Sequence, residues 1–378
     1  MKAKQRFLSV DDHVLEHPQV WTRRMSKAKW GDRIPHLKEP AKGAAKWVVD
    51  GHAVSLARLA DVGAALEAST GGRATRWSDI PAAARDARAR LKSMDTDGVD
   101  CSVLYPMVAG VAGETFGRIT DPRLELACVQ AYNDWLIEEW AAVSPRFIPQ
   151  CIVPLAPEAA AAEIRRAVAK GHKGVVFPAI PLHLRDNVPH INDEAYEPVW
   201  RTCEELGVPV CFHSGASPEL EMEPWSGFSP KLREAYRAIT RPAGNATIVG
   251  NMLMSRAVRF HPKLKVVFPE SALGWIVFAL EMGDHQFSNM GLKSRGYEHN
   301  LGDLFRRQCF VSAWYDKQSL QHALRHVGAA NILWSTNFPQ ATSTWPGSTD
   351  AIARSFEGIA AADRERILWS NAAGLYGL

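Results

Sequence analysis

The sequence predicts a parallel (β/α)8 barrel, on three observations. Eight short runs rich in Val, Ile, Leu and Phe recur along the 378 residues, helical segments with readable ends lie between most of them, and polar side chains sit where several of the runs stop. Strands that alternate with helices pack as a parallel sheet, and eight such units close into a barrel whose chemistry sits at the C-terminal strand ends. The runner-up is an open doubly wound sheet, but no glycine-rich phosphate loop follows an early strand.

The strands fall at Phe7–Val14, Cys101–Pro106, Phe147–Pro154, Gly174–Pro178, Val208–His213, Leu264–Glu270, Gln308–Trp314 and Asn331–Phe338. Between them, Asp121 and Pro122 supply the N-cap and first-turn residues of a helix running toward Val143. Pro157 opens an Ala-rich helix to Lys170 that Gly171 closes, and Asn192 and Asp193 offer caps for a helix ending near Gly207. The expected organisation is one barrel domain over residues 1–378, with excursions at about 22–92 and 214–260. Excursions of this kind build a pocket or a subunit interface.

Composition narrows the partners. With 46% hydrophobic residues and a net charge of +3, the chain can bury a large core and lacks the clustered Lys and Arg of a nucleic-acid binder. No stretch is apolar enough to span a bilayer, and MKAKQRFLSVDD leads into a strand without a signal region, so no membrane is expected and the cytoplasm is the expected location. The six cysteines form no CxxC pair and read as reduced, buried thiols.

The candidate chemistry lies at the strand ends. In an extended segment alternate residues share a face, so in Asp11-Asp12-His13 the first and third side chains converge while Asp12 points away. Asp-x-His alone serves a metal ion or a structural hydrogen bond; His213, ending the fifth strand, adds an imidazole at the same end of the barrel and favours the metal. Glu270 follows a Val-Val-Phe strand, where a carboxylate is costly to bury unless paired or bound to a cation, so it reads as a ligand, a base or an ion-pair partner. Glu16 and Glu270 are the side chains available to bridge a second ion.

Taken in order, Asp11-x-His13-x-x-Glu16, Met94-Asp-Thr-Asp-Gly-Val-Asp100, Ala131-Tyr-Asn-Asp-Trp135, Gly171-His-Lys-Gly174, His213-Ser-Gly, Glu270-Ser-Ala-Leu-Gly-Trp, Thr344-Trp-Pro and Asn371-Ala-Ala-Gly-Leu-Tyr376 resemble the amidohydrolase-related family that includes aminocarboxymuconate semialdehyde decarboxylase. The resemblance spans nearly the whole chain. It implies a (β/α)8 barrel of the amidohydrolase superfamily with inserted segments, a divalent metal, and hydrolysis or nonoxidative decarboxylation of small carboxylates. It also implies Asp11 and His13 as the first metal motif and His213 as the strand-five ligand.

Two departures stand out against it. Asn337 occupies the position of the strand-eight aspartate that binds metal and accepts a proton from the attacking water, and Gln340 occupies that of a following histidine. An amide carries no charge and accepts no proton near neutral pH. The strand-six position of a catalytic histidine in the decarboxylase branch is Glu270 here. These departures resemble the partner chain of 2-aminoisobutyrate hydroxylase-type monooxygenases. The resulting expectation is a subunit of a heteromeric, metal-dependent monooxygenase, beside an intact homologous amidohydrolase-fold subunit and acting on a small amino or carboxylic acid. The alternatives are an independent divalent-metal-dependent hydrolase or nonoxidative decarboxylase of a small carboxylate, with Glu270 transferring the proton, and a metal-free scaffold. At most one ion of zinc, iron or manganese is expected per chain, and Asn337→Asp is expected to tighten it by restoring an anionic ligand.

Overall fold

The computed structural model describes residues 6–54, 76–220, 222–340 and 342–378. Its strands, numbered along the chain, begin with β1 (Leu8–His13). The first excursion holds β2 (His36–Lys38), β3 (Lys46–Val49) and β4 (His52–Val54), which form a separate antiparallel sheet; residues 55–75 of that excursion lie outside the described residues. The remaining strands are β5 (Cys101–Tyr105), β6 (Phe147–Ile152), β7 (Gly174–Val176), β8 (Val210–Cys211), β9 (Val266–Phe268), β10 (Cys309–Ala313) and β11 (Ile332–Trp334).

β1 and β5 to β11 form one eight-stranded sheet in that order, every pair parallel. Its two edges meet. The His13 N–H donates to the Phe338 carbonyl at 2.7 Å and the Asn337 N–H to the Asp11 carbonyl at 2.9 Å, which closes a (β/α)8 barrel. All eight expected strands are present but shorter, and β9 and β11 leave the extended region before Glu270 and Asn337. Glu270 and Asn337 both have left-handed backbone, with φ of 50° and 55°. Glutamate is strained there, at on the order of 1 kcal/mol, whereas asparagine tolerates it.

The helices start where their caps say. The Asp121 side chain accepts the Arg123 N–H ahead of helix Pro122–Leu136, which continues through one π-helical turn to Ala141. Helix Pro157–Ala169 follows, and helix Glu197–Leu206 ends on left-handed Gly207. Helix Pro230–Met254 fills most of the second excursion, capped by the Ser229 hydroxyl. One continuous core runs from Phe7 to Tyr376 and includes fully enclosed rings such as Trp200 and Trp334, the removal of any one of which costs about 3–5 kcal/mol. No helix among the described residues is long and apolar enough to cross a membrane. All six cysteines are free thiols, five of them buried.

Candidate metal centre

Asp11, His13 and His213 are fully buried where β1 and β8 end, with ligand atoms all within 4.8 Å of one another. The pairing of β1 with β5 shifts register between Ser9 and Asp12, a bulge of the kind that re-aims side chains beside a site. It leaves Asp11 and His13 facing inward and Asp12 facing the seam of the barrel. There Asp12 accepts from the hydroxyls of Ser102 and Thr336 and from the Phe338 N–H at 2.9 Å.

The orientation of both imidazoles is fixed by partners that can only accept. The Nδ1–H of His213 donates to the Ser214 carbonyl at 2.6 Å, and that of His13 to the Pro106 carbonyl at 3.3 Å. Each Nε2 is therefore turned toward Asp11 Oδ1, at 3.0 Å from His213 and 3.3 Å from His13. A neutral imidazole would aim a lone pair at a carboxylate, an arrangement that requires a proton or a cation between them. With a proton there, burial opposes the charge on His213, but the adjacent Asp11 carboxylate outweighs it and pushes the imidazolium up to about 9. Burial likewise opposes the charge on Asp11, yet the two histidines hold its carboxyl well below the usual range. Asp11 Oδ2, His13 Nε2 and Asn337 Oδ1 are buried without a hydrogen-bond partner, and the one carboxylate and two imidazoles, clustered within 4.8 Å, fit a divalent ion.

Glu270 and Asn337, 67 residues apart in sequence, meet at this centre. Glu270 Oε2 accepts from the Ser214 hydroxyl at 2.7 Å and lies 3.8 Å from His213 Nδ1, while Oε1 accepts from Asn337 Nδ2 at 3.1 Å. The same Nδ2 donates to Thr342 Oγ1 at 2.8 Å. Gln340 is half-buried, its Nε2 against Met107 Sδ at 3.5 Å.

Glu16 does not reach the centre. Its carboxylate accepts the N–H groups of Met107, Val108 and Ala109 at 2.8–3.3 Å, so it holds the loop after β5 and is not placed to bridge metal ions. The physical reason is that β1 ends at His13 and the alternation that unites Asp11 with His13 stops there. Burial pushes the Glu16 carboxyl up to about 7 despite those three donors. Sequence reasoning missed Ser214 and Thr342, whose hydroxyls carry no periodic signal, although Ser214 directly follows a candidate ligand. It also missed Arg90, which is buried with its Nη2 on the His13 carbonyl at 2.6 Å and its guanidinium 4.3 Å from the Phe338 ring centre.

A parallel barrel with an Asp-x-His pair on its first strand and a histidine after its fifth carries a group that could hold a metal ion. The amidohydrolase family model matches residues 49–378, and the chain belongs to that family. A gamma-resorcylate decarboxylase from Polaromonas sp. strain JS666 is 28% identical over 308 residues, 78% of this chain and 87% of that protein. Among solved structures, an amidohydrolase from Mycobacterium avium subsp. paratuberculosis superposes with a TM-score of 0.78 at 22% identity, over 99% of this chain and 100% of its own. The dihydroxybenzoic acid decarboxylase from Polaromonas sp. JS666, solved with manganese and the inhibitor 2-nitroresorcinol, gives 0.67 at 19% identity over 99% and 97%. At these identities the solved structures establish a shared fold. These relatives lend no support to a monooxygenase subunit or to a homologous partner chain, and the expectation built on Asn337 gives way to the alternative stated beside it.

Proposed function

We propose that this chain is a divalent-metal-dependent nonoxidative decarboxylase of a small hydroxylated aromatic carboxylate. The observation that carries the reading is the enclosed group of Asp11, His13 and His213, with donor atoms aimed at one point, in a chain related to a gamma-resorcylate decarboxylase. Manganese suits the two oxygen donors, the Asp11 carboxylate and the Asn337 amide oxygen, beside the two imidazoles. Such an ion would supply a Lewis acid that fixes and polarises the substrate's oxygens.

The chain's own residues supply the rest. Asp11, His13 and His213 set the position of the bound oxygens, and their burial keeps bulk water from them. Proton delivery falls to Glu270, because Asn337 has no proton to give and Glu270 is the carboxyl group beside the three ligands. Its proton passes to the ring carbon bearing the carboxylate. The bond from that carbon to the carboxylate then breaks, its electron pair restores the aromatic ring, and CO2 leaves. Water reprotonates Glu270, and Ser214, on Oε2, holds the carboxyl in place throughout.

The test is CO2 release from a panel of ortho-hydroxybenzoates by Mn2+-loaded protein. The wild type is expected to turn over at least one of them, and Glu270→Gln to lose about 100-fold or more in kcat. No release from any of them by the loaded chain would contradict the reading.

A further inference from the structure

We infer that Asn337 is a built-in neutral metal ligand, its amide locked by Glu270 and Thr342 with the oxygen turned toward the ion, and that the site is matched to asparagine at this position. The inference rests on the metal centre of the proposed function and concerns how that centre is held. An asparagine amide can be turned either way, and its orientation is decided by its partners. Here the ionised Glu270 Oε1, at 3.1 Å, can only accept, and Thr342 Oγ1, at 2.8 Å on the same end of the amide, is free to accept as well. Only the NH2 satisfies the carboxylate, and it reaches both, which leaves Oδ1 on the other side, where it is buried and unpartnered. The backbone holds Asn337 beside Asp11, since the Asn337 N–H donates to the Asp11 carbonyl at 2.9 Å. The left-handed φ of 55° at Asn337 is a conformation that asparagine adopts readily.

The polarity of this arrangement reverses the sequence-based expectation for Asn337→Asp. An aspartate would set a carboxylate oxygen against Glu270 Oε1 at about the 3.1 Å of the present hydrogen bond. Its added charge would face the repulsion of a second carboxylate in a buried site, and the Thr342 hydroxyl would have to turn and donate. Glu270 thus divides its work between its oxygens: Oε1 positions Asn337, and Oε2 sits with Ser214. A glutamine at 270 preserves the first role, because its oxygen can accept from Asn337 while its NH2 donates to Ser214. In the Asn337→Asp background, the same glutamine can turn and donate to the new carboxylate.

Mn2+ titration calorimetry without substrate, together with thermal melting of the metal-free protein, reads this directly. Thr342→Val and Glu270→Ala are expected to weaken Mn2+ binding by about tenfold each, as loss of a group that orients a ligand does, whereas Glu270→Gln holds affinity within about threefold of wild type. Asn337→Asp binds no more tightly than wild type and melts lower without metal. Adding Glu270→Gln to Asn337→Asp recovers both affinity and melting temperature. Tighter binding by Asn337→Asp alone would overturn the inference, and so would unchanged affinity in both Thr342→Val and Glu270→Ala. These readouts involve no turnover, so failure of the chain to release CO2 would leave them intact and count against the proposed reaction alone.

Discussion

Asp11 and Asp12 are consecutive, equally buried carboxylates on one strand, and they face opposite regions of the molecule. Asp12 faces the seam between β1, β5 and β11, where two hydroxyls and a backbone N–H satisfy it. Asp11 faces the interior, where Oδ1 meets two imidazoles and Oδ2 meets nothing. A buried carboxylate with both oxygens hydrogen-bonded is a structural fastening, whereas one with an unfilled oxygen beside two aligned nitrogens fits a cation. Burial alone does not separate the two.

The largest effect expected from this contrast is at the seam. Asp12→Asn should lower the stability of the metal-free protein by about 3 kcal/mol, because it removes an acceptor from buried donors and the counter-charge near buried Arg90. Asp11→Asn should do the reverse: Mn2+ affinity falls by about 100-fold or more while the metal-free protein loses less than half as much stability as Asp12→Asn. Urea denaturation and metal titration on the two variants would break the comparison if their profiles came out alike.

Glu16 sharpens it as a third carboxylate, on the structural side. Its carboxyl sits at about 7 in the folded chain against an ordinary 4.5, so between those values the folded state holds a proton that the unfolded state has released. Its contribution is present below about pH 4.5 and is lost as pH rises through about 7, by up to about 3 kcal/mol across the window. Glu16→Gln should flatten that part of the stability profile and leave Mn2+ stoichiometry unchanged. A smaller effect is expected at Thr336, whose hydroxyl donates to Asp12 at 2.6 Å. Thr336→Val should cost about 1–2 kcal/mol in denaturation without altering metal affinity.

The same contrast explains what the sequence made legible. The barrel was readable because each strand is a short, largely apolar run, several with a polar end, and Asp11 with His13 because strand alternation places them together. His213 could be joined to them because a barrel gathers all its strand ends on one face. The partnership of Glu270 with Asn337 was hidden, since it depends on how β9 and β11 leave the sheet with left-handed backbone. Glu16 misled for a local reason: Asp-x-His-x-x-Glu reads as one constellation, but only its first three residues lie on the strand. Asn337, read by itself, looked like the loss of a base. Beside Glu270 and Thr342 it is a donor where the site requires one.

The most direct test of the metal centre is anomalous diffraction from crystals of the Mn2+-loaded chain, recorded on both sides of the manganese edge. One peak per chain is expected, bonded to a carboxylate oxygen of Asp11, His13 Nε2, His213 Nε2 and Asn337 Oδ1, with Glu16 still on the amides of residues 107–109. No peak among these four atoms, or two well-occupied peaks bridged by Glu270 or Glu16, would contradict the account.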